Sequence, residues 1–136
     1  MINMFTVTQR STYSLLLIRI MLGVTMLLHG LQKWLNLGDV TDFFTSLGLP
    51  TFVPPIIATI ETVGGLFMIL GLLVPLVSLG FVAILGTAIF MLKSQAGFID
   101  GFELELLLIV MSLAVGYAHL NKNLFQLLPF QNDRSI

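Results

Sequence analysis

Ionisable side chains lie inside the apolar runs of this chain, where a charge is costly. Arg19 and His29 fall in the stretch of residues 13–34, and Glu61 and Glu105 fall in two later apolar stretches. A charge in hydrocarbon costs roughly 2.5 to 3.5 kcal/mol on insertion scales, so each group needs a partner, a water-filled cavity or a route to the interface. Such groups, buried together, can exchange protons with a bound molecule or stabilise negative charge on it.

The composition is that of an integral membrane protein. Of 136 residues, 57% are apolar and only 10% are charged, and the mean hydropathy is +1.01. We expect one membrane domain over residues 1–136, with the first apolar run retained in the bilayer. A net charge of −1 argues against nucleic acid as a partner. The absence of cysteine excludes thiol redox chemistry, so redox work would need a bound cofactor or another chain.

Four segments have the length and apolar character of spanning helices. They are residues 13–34, 53–73, 76–93 and 102–121. Between the second and third, glycine and proline in the sequence Gly71-Leu72-Leu73-Val74-Pro75 predict a helix end and a restart. The predicted fold is therefore all-α, a bundle of four transmembrane helices in contact with the lipid bilayer.

A short amphipathic helix is predicted between the first two spans. After the N-cap candidate Asp39, apolar side chains recur at helical spacing. They are Val40, Phe43, Phe44 and Leu47. Gly48 and Pro50 should end this helix, which we expect to lie on the membrane surface. An ordinary connecting loop with buried phenylalanines is the alternative.

Four spans place both termini on one side of the membrane. Arg10, Lys122 and Arg134 lie on that terminal side, whereas Lys33 and Lys93 flank the opposite, loop side. The positive-inside rule then predicts cytoplasmic termini for a multi-pass protein of the inner membrane.

Depth along the helices suggests partners for the buried carboxylate. At 1.5 Å per residue, Arg19 lies about 9 Å from the terminal side, His29 about 24 Å from it, and Glu61 between them. Glu61 is therefore expected to pair either with Arg19 or with His29. Such a pair could lock the bundle together or could line a ligand site, and both readings stay open.

Small residues mark two helix faces for close packing. Gly23 and Gly30 share a face of the first span, while Gly64 and Gly65 lie beside Glu61 in the second. Small residues let neighbouring helices approach closely, within one chain or between two copies in a homodimer.

Ionisable groups gather in the loop-side third of the predicted bundle. This candidate site comprises His29, Lys33, Glu61, Lys93, Glu103 and Glu105. The plainer interpretation of Lys33, Lys93 and Glu103 is that they are interfacial anchors in water. His29 and His119 come out about 20 Å apart, so they cannot share a haem. His119 and Tyr117 are interpreted as interfacial residues, and no metal site is predicted.

The order of several segments resembles that of the DoxX family of small four-helix membrane proteins. The segments are RIMLGVTMLLHGLQKW, FFTSLGLP, ETVGGLFMILGLLVP and FELELLL, within residues 15–117. The resemblance covers Arg19, His29, Lys33 and Glu61, together with the glycines beside them. The family takes its name from the small subunit of an archaeal thiosulfate:quinone oxidoreductase, and similar proteins are linked to redox defence and quinone or catechol stress. The resemblance implies a quinone-facing subunit of a membrane oxidoreductase.

The leading hypothesis is a protein that binds a quinone, without a covalent cofactor, in its polar bundle pocket. In this hypothesis His29 and Glu61 are the catalytic residues that exchange a proton with the quinone oxygen. Arg19, Lys33 and Glu105 contact the ligand, and a protein partner in the membrane donates or accepts the electrons. The alternatives are a non-catalytic scaffold subunit of a membrane complex, and a small-molecule carrier.

Overall fold

The described part of the chain is built from helices and turns. The computed structural model describes residues 4–93 and 95–120, with side chains from residue 10 onward. The helices are α1 (Met4–Leu35), α2 (Leu37–Ser46), α3 (Val53–Leu70), α4 (Val74–Ala88) and α5 (Glu103–Ala118), and a π-helical turn over Ile89–Lys93 continues α4. No strand occurs within these residues, and the predicted all-α fold is confirmed.

Three helices are long and apolar enough to cross a membrane. They cover Arg10–Leu35, Val53–Leu70 and Val74–Lys93. Helix α5 corresponds to the fourth predicted span but has 16 residues, or about 24 Å of helix against a hydrocarbon core of about 30 Å. The fourth crossing therefore stays a prediction. The span predicted to end at residue 121 and the cations Lys122 and Arg134 extend beyond the described residues.

Helices α1 and α2 begin earlier than predicted. Helix α1 begins at Met4 rather than near residue 13, because no glycine or proline interrupts residues 4–12 and a helix extends readily once formed. Helix α2 is present as predicted, but its N-cap is Asn36 and Asp39 lies in its first turn. Hydrophobic patterning marks the apolar part of a helix and not its full length.

The hairpin between α3 and α4 follows its sequence signals. Gly71 caps α3 with a φ of +78°, and Pro75 occupies the first turn of α4. Between them Leu73 also adopts a left-handed conformation, with φ of +48°. The left-handed conformation is one that glycine adopts without strain, and the turn brings α4 back along α3.

Glycines allow α1 and α3 to pack backbone against backbone. A Cβ atom added at Gly65 would lie 2.6 Å from the Leu27 nitrogen and 2.7 Å from the Gly23 oxygen. A Cβ atom at Gly30 would lie 2.6 Å from the Thr62 nitrogen. The predicted small-residue face is therefore used inside the chain, which removes these glycines as an argument for a homodimer.

Helices α4 and α5 form a second close pair. A Cβ atom on Gly116 would lie 2.8 Å from the Ser78 Cβ atom, so these two small residues set the spacing between the helices. The interior between the two pairs is apolar, with Leu22, Met26, Met68, Phe81 and Val115 fully buried. The bundle thus consists of two tightly packed helix pairs joined by a core of ordinary side chains.

Replacing Gly65 with alanine should destabilise the bundle by about 1–3 kcal/mol, because the added methyl meets backbone that cannot rotate away. The matched control is Gly86→Ala in α4, where an added Cβ atom has no neighbour within 4 Å. That substitution should be neutral or stabilising, since alanine is the better helix former. Equal unfolding free energies for the two variants in detergent would contradict the proposed packing.

Candidate functional site

The site lies between the two helix pairs. Helix α1 packs mainly on α3 and helix α4 mainly on α5, with far less contact between the pairs. A cavity of about 460 Å³ occupies this seam near the loop-side end. Its volume is within the range of small-molecule sites, roughly 300–1,000 Å³.

An ion pair joins α1 to α3 at the cavity wall. Lys33 Nζ donates a hydrogen bond to Glu61 Oε2 over 2.8 Å. The Glu61 side chain is only 5% exposed and that of Lys33 is 25% exposed. Because Gly30 packs directly on Thr62, the aliphatic stem of Lys33, about one turn further along α1, can reach Glu61. Buried carboxylates are tolerated when paired in this way.

This geometry corrects both partners expected for Glu61. Neither Arg19 nor His29 pairs with it, and Lys33, interpreted as a possible anchor in water, is its partner. The axial estimate placed Lys33 at the interface, but a lysine side chain can lie along the helix and carry its ammonium several ångströms away from its Cα atom.

A second ion pair joins the end of α4 to α5. Lys93 Nζ donates to Glu105 Oε1 over 2.5 Å, with side chains 39% and 12% exposed. Lys93 is the last residue of the π-helical turn Ile89–Lys93. The wider turn changes the direction in which following side chains point, and such turns are frequent at functional sites. Each helix pair thus carries one lysine and one glutamate at the same end of the bundle.

The cavity brings together most of the residues predicted for the loop-side site. His29, Lys33, Glu61, Lys93 and Glu105 all line it. Glu103 does not; it is exposed, and its Oε1 accepts a 3.5 Å hydrogen bond from the backbone N–H of Asp100. No hydrogen bond to the partly buried His29 ring occurs among the described residues, so both of its nitrogens are available to a ligand.

Apolar side chains form most of the rest of the cavity wall. They include Met26, Phe44, Val53, Ile57, Leu85 and Leu108. Phe44, from the predicted phenylalanine-bearing face, is the buried residue of α2 and closes the cavity from that side. A ligand with a polar head and an apolar body therefore matches this combination of ion pairs and hydrocarbon.

Arg19 lies away from this cavity, at the other end of the bundle. Its Nη1 atom is 3.3 Å from Nε2 of His119. Nδ1 of the same ring is 2.9 Å from the Val115 carbonyl oxygen, which can only accept, so Nδ1 carries the hydrogen and Nε2 accepts from Arg19. The guanidinium also lies against Gly71, where an added Cβ atom would be 3.0 Å from Nη1.

The role of His119 as a partner was missed from the sequence. It was interpreted as an interfacial residue, although it lies at the terminal side, as does Arg19. At this helix end a cation is also favoured by the carbonyl groups at the C-terminus of α3. The expected placement of Arg19 next to the ligand is not what the structure shows, since Arg19 joins α1 to the end of α5.

A second cavity, of about 470 Å³, lies between α4 and α5 on their outer side. Its lining includes Leu79, Leu113, Tyr117 and Ser78, and no aspartate, glutamate, lysine, arginine or histidine. Leu79 and Tyr117 are largely exposed. This outer groove lacks the proton-exchanging groups of the seam cavity. No group of three metal-ligating side chains is present among the described residues.

The fold and the seam cavity together define a small multi-pass helical membrane protein with a charged internal pocket. The DoxX family model matches residues 14–94, and the chain belongs to the DoxX family. A Bacillus subtilis (strain 168) protein named "Putative oxidoreductase CatD" is 36% identical over 98 residues, which are 72% of this chain and 73% of that protein. No solved structure matches the chain significantly.

Removing one partner of the Lys33–Glu61 pair should be more harmful than removing both. Lys33→Met leaves the buried carboxylate alone and should cost about 3 kcal/mol of unfolding free energy. The double variant Lys33→Met with Glu61→Leu should recover most of that loss. A double variant as unstable as the sum of the two single variants would contradict a mutual pair.

The Arg19–His119 contact should behave as one interaction in a double-mutant cycle. His119→Phe and Arg19→Met should each cost about 1.5 kcal/mol, the lower end for a hydrogen bond to a charged group. The double variant should cost little more than the worse single variant. Strictly additive costs in thermal or denaturant unfolding would show that the two side chains act independently.

Proposed function

We propose that this protein is a quinone-interacting subunit of a membrane oxidoreductase or redox-stress system, and that the quinone headgroup binds in the seam cavity. One observation carries the proposal: two Lys–Glu ion pairs, and a histidine without a hydrogen bond to any described residue, line a single cavity whose other walls are largely apolar. A quinone has this combination of chemistry, since its ring oxygens are polar and its tail is hydrocarbon.

The cavity residues suit the proton and charge changes of quinone chemistry. Reduction of a quinone adds two electrons and two protons, and its oxygens become negative before they are protonated. Each ammonium of Lys33 and Lys93 has further N–H groups beyond its carboxylate bond and can stabilise such an oxygen. His29 or Glu61 can donate or accept the proton at the oxygen itself. Arg19 takes no part in this proposal, because it lies at the opposite end of the bundle.

The electrons require a second redox centre, which we assign to a protein partner in the same membrane. Cysteine is absent from the chain, so a thiol of this subunit cannot supply them. The oxidoreductase name of the Bacillus subtilis relative supports a redox role. We further propose an inner-membrane location with cytoplasmic termini, supported by Arg10 at the terminal side.

Binding of a short-chain ubiquinone and of a short-chain menaquinone to the purified protein in lipid nanodiscs tests the proposal. At least one should bind saturably, and His29→Ala and Glu61→Gln should each weaken its binding about tenfold or more. His29→Ala is the cleaner variant, because the ring has no hydrogen bond within the described residues to lose.

Two controls separate the cavity from general effects of substitution. Glu103→Gln removes an exposed carboxylate outside the cavity, and His119→Phe removes the other histidine; both should leave the dissociation constant unchanged. The proposal fails if neither quinone saturates, or if the cavity variants bind as tightly as the unsubstituted protein.

A further inference from the structure

The seam cavity opens sideways between α3 and α4. Within the described residues, four exposed side chains line the cavity, and three of them lie on α4: Ala83, Thr87 and Met91. Because they are spaced four residues apart, they form one stripe along the surface of that helix. The half-buried Ile57 lines the cavity from α3. A side chain that is exposed and also lines the cavity lies at its edge, and we call these four residues the α3–α4 opening.

The opening results from the way the α3–α4 hairpin widens from its turn. Near the turn the helices are in contact, since a Cβ atom on Gly64 would lie 2.8 Å from the Phe81 ring. Somewhat further along, a Cβ atom on Gly80 would lie 3.9 Å from Cγ2 of Ile60. Nearer the loop side, Ile57 and the α4 stripe line the cavity instead of each other. The hairpin is therefore closed at its turn and open towards its other end.

The opening lies at the depth of the lipid chains. At a rise of 1.5 Å per residue, Thr87 lies about 9 Å and Ala83 about 15 Å from Lys93 along α4. Lys93 is partly exposed at the loop side of the bundle, and the hydrocarbon core of a bilayer is about 30 Å thick. Ala83 and Thr87 therefore face hydrocarbon rather than water.

The polar groups of the cavity lie at its loop-side end. Lys33 and Lys93 are partly exposed there, and each ammonium keeps N–H groups that its carboxylate does not use. The buried Phe44 of α2 covers the cavity at this end. Leu104, the fourth exposed lining residue, precedes Glu105 at the start of α5, so a tail that left the cavity beside it would pass the Lys93–Glu105 ion pair. The α3–α4 opening is the apolar way out.

We propose that the ligand enters the seam cavity from the bilayer through the α3–α4 opening, and that its hydrocarbon tail stays in this opening when its ring is bound. The inference rests on the proposed function and adds the ligand class, a ring with a long hydrocarbon tail that is dissolved in the membrane. A tail that extends into lipid avoids contact with water, which is unfavourable for every CH₂ group. Ala83 and Thr87 then decide whether a tail is accepted, because larger side chains there fill the opening at a distance from the lysines.

The test compares two quinones with the same ring, bound to the protein in lipid nanodiscs. One is a ubiquinone with a tail of several isoprene units, and in the other a methyl group replaces the tail. Each dissociation constant is expressed as a mole fraction in the bilayer, so that partitioning of the tail into lipid does not contribute. Thr87→Trp should weaken binding of the long-tailed quinone about fivefold or more, because the indole overfills the opening. Binding of the tail-free quinone should be unchanged, which also shows that the variant is folded.

Three further variants separate blocking of the opening from other effects. Ala114→Trp is the matched control, because Ala114 is exposed on α5 and lines neither cavity; it should leave the binding of both quinones unchanged. Thr87→Ala removes the hydroxyl that donates to the Ala83 carbonyl oxygen and should also leave both unchanged, since it does not fill the opening. Thr87→Leu should give a smaller loss for the long-tailed quinone alone, and it replaces the tryptophan variant if that variant does not fold.

Equal loss for both quinones in Thr87→Leu, or no loss for either quinone in Thr87→Trp, would overturn the inference and leave the quinone site standing. Binding of only the tail-free quinone by the unsubstituted protein would do the same. Loss of the long-tailed quinone in Leu104→Trp but not in Thr87→Trp would place the tail at the start of α5 and would also overturn the inference. If neither quinone binds the unsubstituted protein, the proposed function is wrong as well.

Discussion

The arrangement of this bundle depends on the cost of placing a carboxylate in an apolar interior. Glu61 is almost fully buried, and the ammonium of Lys33 makes that burial tolerable. An isolated charge at this position would cost several kilocalories per mole. The same constraint applies at the start of α5, where Glu105 is paired with Lys93. The Lys33–Glu61 ion pair joins α1 to α3, and the Lys93–Glu105 ion pair joins the end of α4 to α5. Neither ion pair connects the α1–α3 helix pair to the α4–α5 helix pair.

The seam cavity follows from this division. Glycines bring α1 against α3, and Gly116 brings α5 against Ser78 of α4, so contact within each pair is close. Between the pairs, large apolar side chains fill the middle of the bundle but leave the loop-side end open. The ion pairs of both helix pairs then face a common space, while the Arg19–His119 contact closes the opposite end. The fold thereby separates the Arg19–His119 contact, which joins two helices, from the ion pairs, which line the cavity.

Much of this arrangement could be predicted from the sequence. Composition and apolar run lengths predicted an all-helical membrane protein, and the glycines at positions 23, 30 and 65 predicted faces for close helix packing, although not that α1 and α3 meet there. The gathering of His29, Lys33, Glu61 and the Lys93–Glu105 region at the loop side also followed from position along the helices. These features depend on periodicity and length, which are local properties of the chain.

The pairings could not be predicted in the same way, because they depend on side-chain reach and local helix geometry. Counting 1.5 Å per residue locates only the Cα atom of Lys33 along the helix axis. The side chain carries the ammonium several ångströms from that atom, to Glu61. The π-helical turn that ends at Lys93 has no signature in its residues, IFMLK. His119 was assigned to the interface, although it falls on the same face of the last helix as Ser112 and Gly116, which are buried in the bundle. That shared face was the available signal for an inward partner of Arg19.

The most direct measurement is photoaffinity labelling of the protein in native membranes with an azido-substituted quinone, followed by mapping of the modified residues by mass spectrometry. If the seam cavity binds quinone, residues around it, such as Met26 and Met91, should be labelled, and excess unlabelled quinone should abolish this labelling. Labelling confined to the outer groove near Leu79 and Leu113, or labelling that excess quinone does not reduce, would contradict quinone binding in the seam cavity.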